Sequence, residues 1–368
     1  MISRALPMIL AVSALAVIVT IYGGIRHDYF DYLQQWQLVR DGADPWGSNN
    51  AYGPLHNLFA FLVPIRDLAP KLVTAASLLL VNGMLLITLL ATRPVTEWRA
   101  TYLIAFGANL LVLVTAFWFG LNDAFVAALV LGAVLARRDG AMILAGVLLG
   151  LATLDKYYPA LLIPFFAIDA RVLQPRLLLA ALGTIALGLI AATIVWGSAW
   201  FEAVAFGVSR DATILSIFRP IAVLGRQLGI ADITDQLVRF NGPLVLLVWI
   251  GSIVAVWLRR DNWLIGACWG FFAVLLTYKV GHQQFWTTWL ALVAALPLLN
   301  ATDADRLAKL SWPYALFLSL FSLGFVVLQP QYYQGQWRWV NDVAGVPSFV
   351  LGVALLWLYL RPAPRPAP

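Results

Sequence analysis

Residues 72–92 read LVTAASLLLVNGMLLITLLAT, a stretch without a single charged side chain. An α-helix needs about 20 apolar residues to cross the hydrocarbon core of a bilayer. Runs of this kind recur along the whole chain, in which 62% of the residues are hydrophobic and 11% are charged. Soluble domains have an apolar share of only about half. The sequence therefore predicts an all-α fold, a polytopic helical membrane protein with a single integral membrane domain over residues 1–368.

The apolar runs predict about twelve transmembrane helices. They lie at 5–25, 72–92, 100–118, 121–136, 140–154, 157–169, 177–197, 241–258, 263–278, 284–299, 311–328 and 346–360. The first run follows Arg4 and is longer than the apolar core of a signal peptide, so we expect it to be retained. The run at 157–169 is too short to cross upright, which indicates a tilted or re-entrant segment.

The basic residues between these runs predict the orientation of the chain. Alternate connections carry the pairs Arg93/Arg99, Arg137/Arg138, Arg171/Arg176, Arg259/Arg260, Arg306/Lys309 and Arg361/Arg365. All fall on one side, which the positive-inside rule makes cytoplasmic. We therefore expect a multi-pass protein of the cell (inner) membrane with both termini in the cytoplasm. Its long external loops would be 26–71, 198–240 and 329–345, and its tail at 361–368 would be disordered.

The residue types also exclude several classes of function. The net charge of +6 is spread over short basic pairs, so no nucleic acid partner is expected. Cys268 is the only cysteine, which excludes an internal disulfide and a cysteine-rich metal site. No Walker-type or Rossmann-type glycine loop occurs, which disfavours ATP or a dinucleotide, and we expect no cofactor. Asp28 and Asp31 could share a divalent ion, but one helical turn of separation is not specific, so no metal site is predicted.

The first external loop gathers carboxylates at one face of the membrane. A wet loop tolerates acids at any position, but proton abstraction at neutral pH also needs a positioned carboxylate or imidazole. Asp28 and Asp31 are therefore the candidate catalytic residues of this loop. The segments 29–39 and 55–63 mix apolar and aromatic residues with polar ones, which predicts interfacial helices within the loop.

Polar side chains at the ends of the apolar runs are candidates for substrate binding, because charge is costly at membrane depth. On the external face these are Asn122, Asp123, Lys156, Lys279, His282, Gln283 and Gln284, and Arg210 and Asp211 of the loop 198–240 lie on the same face. Either lysine alone could extend its ammonium group to the lipid headgroups, with Asp155 and Lys156 neutralising one another. The placement of the whole set on one face instead favours a single external polar cavity.

A series of short motifs runs in order from about residue 26 to residue 290. The motifs are Asp28, Gly42, Pro45-Trp46, Tyr52-Gly53-Pro54-Leu55, Lys156-Tyr157-Tyr158-Pro159, Ser209-Arg210-Asp211 and Lys279 to Gln284. This series resembles the polyprenyl-phosphate-sugar-dependent glycosyltransferases of the GT-C superfamily. It is similar in particular to the mannosyltransferases that add the first mannose in GPI synthesis, and to bacterial α-mannosyltransferases of the family 87 type. Trp46 stands where those families usually have tyrosine.

The resemblance implies an inverting hexosyltransferase, in particular a mannosyltransferase, that acts at the external face. Its donor would be a polyprenyl-phosphate sugar and its acceptor a lipid-linked molecule or a glycan. Asp28 would take the proton from the acceptor hydroxyl, Asp31 would orient the loop or the acceptor, and cationic side chains would hold the leaving phosphate. The substrate-binding set would be Tyr52, Asn122, Asp123, Lys156, Tyr158, Arg210, Asp211, Lys279, His282, Gln283 and Gln284. Membrane lipid and a small membrane partner subunit are the expected partners.

Three other interpretations remain open at this stage. A transporter or flippase for a lipid-linked glycan or a small molecule would also place charges at membrane depth, but it predicts access from both faces. An O-antigen ligase or polymerase shares lipid-linked substrates and a large external loop. A structural membrane subunit would need no cavity at all.

Overall fold

A computed structural model describes residues 27–47, 51–62, 69–327 and 338–361, together with positions 7, 11, 14, 15 and 18. The side chains of residues 27–29 and 338 are outside this description. Most of the predicted first span at 5–25, of the loop at 329–345 and of the tail at 361–368 therefore lies outside the described residues.

The described chain is built almost entirely of helices. They are α1 (His27–Arg40), α2 (Pro54–Asn57), α3 (Phe59–Leu62), α4 (Ala69–Thr92), α5 (Trp98–Trp118), α6 (Asp123–Arg138), α7 (Met142–Asp155), α8 (Tyr158–Ala167), α9 (Pro175–Trp196), α10 (Trp200–Ser209), α11 (Phe218–Gln227), α12 (Ala231–Arg239), α13 (Asn241–Arg259), α14 (Trp263–Thr277), α15 (Trp286–Ala295), α16 (Thr302–Val327), α17 (Arg338–Val343) and α18 (Gly345–Leu360). The strands β1 (Ile168–Asp169) and β2 (Val172–Leu173) form a short antiparallel pair between α8 and α9.

Six apolar stretches of the described chain are long enough to cross a membrane: α4, α5, α9, α13, α16 and the pair formed by α17 and α18. The predicted polytopic helical membrane fold is thus confirmed. The helices α6, α7, α8, α14 and α15 lie where the sequence predicts further spans, but they are shorter. The count of about twelve spans therefore stays a prediction.

One helix begins well before the span predicted within it. The span predicted at 311–328 lies in α16, which starts at Thr302. Arg306 and Lys309 accordingly lie within the first turns of the helix and not in a connection. Lys309 Nζ is 3.1 Å from Asp305 Oδ2 one turn before it, a spacing that supports a helix. Hydropathy missed this start because the first turns of α16 are charged.

The helix pair α7 and α9 shows how small residues allow close packing. A Cβ atom on Gly146 would lie 2.3 Å from the Leu177 carbonyl oxygen, and one on Gly188 would lie 2.2 Å from the Leu154 side chain. Small residues at such contacts let transmembrane helices approach until their backbones touch. The crossing fixes the end of α7, which carries Asp155 and precedes Lys156.

The basic pairs predicted to be cytoplasmic gather at one end of the bundle. Arg137 lies 3.8 Å from Asp169, and Arg171 donates to the carbonyl oxygens of Trp257 and Leu258 at the end of α13, both at 2.9 Å. Arg306 donates to the Leu358 carbonyl oxygen near the end of α18. Since α6 begins at Asp123 and ends at Arg138, Asp123 lies at the opposite end of the bundle.

The first loop forms helices where the sequence predicts them. The helix α1 covers the predicted segment 29–39, and the short helices α2 and α3 cover most of 55–63. One face of α1 is buried through Tyr32, Trp36 and Val39. This packing closes the loop over the end of the bundle that carries Asp123. Whether these helices lie in the membrane interface stays a prediction.

Candidate active site

The first loop is fixed to the bundle by a backbone contact at Gly53. Its amide donates to the Asp155 carbonyl oxygen at 2.8 Å, and the neighbouring Tyr52 pairs with Lys156 in an isolated antiparallel bridge. A Cβ atom on Gly53 would lie only 2.1 Å from the Leu154 carbonyl oxygen. Glycine is therefore required for this approach, which places the Tyr52 side chain next to the end of α7.

Aromatic residues of the loop hold Tyr52 from the other side. The hydroxyl groups of Tyr32 and Tyr52 are 2.7 Å apart, and the Tyr32 hydroxyl accepts from the Asn122 amide at 3.2 Å. Trp46 donates its indole N–H to the Tyr52 carbonyl oxygen at 2.8 Å. These bonds link α1, the Pro45-Trp46 motif and the start of α6 around a single tyrosine.

Lys156 forms the central ion pair of the site. Its Nζ lies 2.7 Å from Asp123 Oδ2, and both side chains are buried. The Tyr158 hydroxyl donates to the other oxygen of Asp123 at 3.2 Å and lies 2.8 Å from the Thr288 hydroxyl. Lys156 Nζ also lies 4.9 Å from the centre of the Tyr52 ring, within the range of a cation–π contact. Asp123 thereby sets the positions of a lysine and a tyrosine together.

A second buried network lies beside this ion pair. The Asn122 side-chain NH₂ group donates to Asp155 Oδ2 and to His56 Nδ1, the latter at 3.1 Å. Because its Nδ1 accepts, His56 is the neutral tautomer with its proton on Nε2. Burial, followed by the nearby Lys156 charge, lowers the pKa of His56 to about 3, so the ring stays neutral at pH 7. Asn122 therefore joins the first loop to the ends of α6 and α7.

Arg210 is held by the late turn between α14 and α15. Its guanidinium donates to His282 Nε2. Burial, and then the charges of Arg210 and Lys156, lower the pKa of His282 to about 3, so its ring is a neutral acceptor. Further along, the Leu215 amide donates to the Gly281 carbonyl oxygen at 3.1 Å. A Cβ atom on Gly281 would lie 2.3 Å from the Ser216 amide nitrogen, so this turn also requires glycine.

Lys279 lies in the same turn. Its amide donates to Asn241 Oδ1 at 2.8 Å, and its Nζ donates to the Val208 carbonyl oxygen at 2.8 Å. Burial lowers the pKa of Lys279, and the charge of Asp211 acts in the opposite direction. Lys279 therefore secures the end of α10 directly before Arg210.

These contacts border a cavity of about 380 Å³, a size in the range of ligand pockets. Its polar wall includes Asp31, Tyr52, Lys156, Tyr158, Arg210 and Gln284. Its apolar wall includes Leu161, Val204, Phe206, Val245, Val274 and Phe285. The cavity thus combines two cationic side chains and a carboxylate with an apolar surface contributed by the bundle and by α10.

The predicted site residues fall into three groups. Those on the polar wall named above are brought together by the fold. Asn122, Asp123, Lys279, His282 and Gln283 lie behind that wall, and the Gln283 side-chain oxygen accepts from the Ser322 hydroxyl at 3.3 Å. Their direct contact with a substrate stays a prediction, because their observed contacts hold other side chains in place. Asp211 is exposed.

The structure describes the side chain of only one of the two candidate bases, Asp31. Asp31 lies in α1 on the cavity wall. Asp28 lies one helical turn earlier in the same helix, and its side chain is outside the described residues. The choice between them therefore stays a prediction.

Sequence reasoning missed His56 and the pairing of Lys156 with Asp123, since it considered Asp155 as the neutralising partner of Lys156. A signal for the observed pair exists. Antiparallel helices of similar length bring the first residue of one beside the last of the other, and α6 and α7 have 16 and 14 residues. The apolar cavity residues Val204 and Phe206 were also missed, because they belong to α10 in a predicted external loop.

No group of three or more His, Cys, Asp or Glu side chains within the described residues could hold a metal ion. The chemistry available from these residues is proton transfer at a carboxylate and electrostatic stabilisation of an anion by Arg210 and Lys156.

The described residues thus form a polytopic helical bundle with a cavity at one end, where Lys156 and Arg210 lie beside an apolar wall and a carboxylate-bearing loop. The model of glycosyltransferase family 87 matches residues 51–277, more than half of the chain. The chain therefore belongs to glycosyltransferase family 87. Comparison with curated proteins and with solved structures gives no significant match.

The family match confirms the predicted glycosyltransferase and its membrane setting. It covers Tyr52, Lys156 and Arg210, and it ends two residues before Lys279. Asp28 and Asp31 precede it. The likeness to GPI mannosyltransferases and the GT-C superfamily assignment are not confirmed by this match and stay predictions.

Proposed function

We propose that the protein transfers a hexose, mannose in particular, from a polyprenyl-phosphate-linked donor to a lipid-linked or glycan acceptor at the external face of the cell membrane. The observation that carries this proposal is the single cavity that joins Lys156 and Arg210 to an apolar wall. A polyprenyl-phosphate sugar needs both surfaces, because its phosphate is anionic and its chain is a hydrocarbon.

Arg210 is the side chain best suited to hold the donor phosphate. The charge of Lys156 is already balanced by Asp123, whereas Arg210 donates to a neutral histidine and keeps further N–H donors. Guanidinium groups bind phosphate oxygens through paired hydrogen bonds. As the bond to the sugar breaks, negative charge grows on the phosphate, and a fixed cation stabilises that charge.

The apolar wall supports a lipid carrier. Val245 lines the cavity from α13. Most of the apolar stretch of this helix faces outward, and only 17% of it is buried within the protein. The neighbouring Leu246 and Leu247 are exposed. In a membrane these side chains face lipid. The polyprenyl chain could therefore pass from the cavity to the bilayer along α13.

In the proposed reaction the acceptor hydroxyl attacks the anomeric carbon of the sugar from the side opposite the phosphate. Asp28 takes the hydroxyl proton, the new glycosidic bond forms, and the bond between the anomeric carbon and the phosphate oxygen breaks. Polyprenyl phosphate leaves with the electron pair, and the anomeric configuration inverts. Asp31, on the cavity wall, orients the acceptor or the loop.

The experiment is a donor panel with the purified protein in lipid and a lipid-linked or glycan acceptor. Polyprenyl-phosphate mannose should release polyprenyl phosphate faster than the glucose and galactose forms. Polyprenyl-diphosphate sugars and nucleotide sugars should not react. Consumption of a nucleotide sugar would contradict the proposal, and movement of the intact donor across the bilayer without cleavage would favour a transporter.

A further inference from the structure

The external segment 218–240 forms a helical hairpin with an unusual exposed surface. Its helices α11 and α12 pack together through Phe218, Ala222 and Val238. At the crossing, a Cβ atom on Gly225 would lie 2.1 Å from the Thr234 hydroxyl oxygen. The hairpin is therefore a tightly packed unit.

An outward stripe of apolar residues runs along α12, from the residue before its start to the residue after its end. Ile230, Ile233, Leu237 and Phe240 follow one another at helical spacing, and their exposed fractions range from 42% for Ile230 to 67% for Phe240. Leu224 and Leu228 of the adjoining α11 segment are exposed as well. Monomeric soluble surfaces rarely keep such apolar residues contiguous, so a partner must cover this stripe.

The depth of the hairpin is fixed by Asn241. Its side-chain NH₂ group donates to the Thr277 carbonyl oxygen at 2.7 Å, and its oxygen accepts from the Lys279 amide at 2.8 Å. Asn241 is the first residue of α13, and Thr277 is the last residue of α14. The hairpin therefore ends level with the ends of two apolar helices. In a membrane, the end of an apolar helix lies near the boundary of the bilayer.

The stripe is also continuous with a lipid-facing surface. Phe240 directly precedes α13, whose exposed side chains include Leu246, Leu247, Ile250 and Val254. A second anchor holds the hairpin on its other side, where Arg219 donates twice to Asp342 Oδ1, at 2.8 and 2.7 Å. The bilayer surface is thus the nearest apolar partner for the stripe.

The charges on the hairpin indicate how it binds. Its exposed charged residues are Arg226, Asp232, Asp235 and Arg239, two bases and two acids, and Arg219 is paired with Asp342. An interfacial helix that relies on anionic lipid has an excess of lysine and arginine on its polar face. This hairpin has no such excess, so apolar contact must dominate.

From these observations we infer that the hairpin 218–240 lies on the external leaflet, with the stripe Ile230, Ile233, Leu237 and Phe240 inserted at the boundary between headgroups and acyl chains. Its binding depends on apolar contact and not on anionic lipid or low salt. This inference is independent of the donor and acceptor proposed above.

The test uses single cysteines labelled with a polarity-sensitive fluorophore in a Cys268→Ala background, with the full chain in phosphatidylcholine nanodiscs. Cysteines at Ile233 and Leu237 report the stripe, and cysteines at Asp235 and Arg239, both exposed, are the matched controls on the opposite face of the same helix. A nitroxide-labelled lipid with its spin label near the headgroup should quench the stripe labels at least about twofold more than the controls. Anionic lipid and high salt should leave that difference unchanged. Leu228→Cys gives a further position on the hairpin, directly after α11.

Several results would overturn the inference. Water-like emission from the stripe labels would show that the hairpin stands away from the bilayer. Apolar emission without quenching by the labelled lipid would show that a protein, or a second copy of this chain, covers the stripe. Quenching that disappears in high salt would show that charge and not apolar contact holds the hairpin.

Discussion

At the scale of single residues, one cation of the site is already neutralised and another is available to bind an anion. Lys156 is buried against Asp123, while Arg210 rests on neutral His282. The sequence could single out Lys156, because charge at the end of an apolar run is costly and needs a reason. It could single out Arg210 through its motif in the external loop 198–240. It could not show that one of them is paired, since the partner is 33 residues away on another helix.

The pairing of Asp123 with Lys156 leads to a prediction on stability. Asp123→Asn leaves a buried ammonium without its counter-charge, which should destabilise the protein by about 3–5 kcal/mol. The double variant Asp123→Asn with Lys156→Met removes both charges and should recover most of that loss. Thermal unfolding in detergent measures both variants. Equal unfolding temperatures for the wild type and Asp123→Asn would show that the ion pair does not stabilise the fold.

The second prediction at this scale concerns the base. Asp28→Asn keeps the shape of the side chain but removes its basicity, so turnover should fall by about 10²–10⁴ while folding survives. Asp31→Asn should have a smaller effect that falls mainly on the KM for the acceptor. An inactive Asp31→Asn beside an active Asp28→Asn would reverse the assignment. Full activity in both would remove the loop from the chemistry.

At the scale of elements, hydropathy predicts the described helices well where they are apolar throughout. It fails where an element begins with charges, as α16 does at Thr302, and where an apolar helix is too short to span, as α10 is at Trp200–Ser209. It also cannot reveal a contact such as that between Tyr52 and Lys156, which depends on how the first loop closes over α7. The role of Gly53 in that contact can be recognised only in the structure, where its amide lies against the backbone of α7.

The close approach of Gly53 to the end of α7 can be tested by adding a methyl group there. Gly53→Ala places a methyl group against the Leu154 carbonyl, so the loop must move away from α7 and from Lys156. Overpacking of this kind costs about 1–3 kcal/mol, and we expect a large loss of turnover because Tyr52 moves with the loop. The matched control is Gly47→Ala in the same loop, where a Cβ atom would make an ordinary contact 3.6 Å from Asp44. If both variants behave alike, the close approach at Gly53 does not position the site.

At the scale of the whole molecule, the bundle has two ends of different chemistry. The basic pairs meet at one end, and the cavity with its polar walls lies at the other. The sequence predicts this division through the alternation of basic connections. The sequence also predicts that Lys156 and Arg210 share a cavity, from their placement on one face. It could not show how they meet, because that depends on the turn at Lys279, which holds the end of α10.

This division predicts the sidedness of the protein. Cysteines at Ser198 and at Asp139 are both on exposed residues, near opposite ends of the bundle. In a Cys268→Ala background, an impermeant thiol reagent added to intact cells should label Ser198→Cys and leave Asp139→Cys unlabelled until the membrane is opened. The reverse pattern would place the cavity on the cytoplasmic side, and labelling of both from outside would disprove the predicted topology.

Transfer of mannose from polyprenyl-phosphate mannose to a lipid-linked or glycan acceptor, by the protein in liposomes, is followed through the release of polyprenyl phosphate. The anomeric configuration of the transferred sugar is determined by NMR. The wild type should cleave the donor and transfer the sugar with inversion. Arg210→Met should lower turnover by about 10²–10³, the effect of losing one stabilising donor at a developing charge. The control Arg226→Met, an exposed arginine that does not line the cavity, should stay close to the wild type. Equal turnover in Arg210→Met and the wild type, or transfer with retention, would contradict the account.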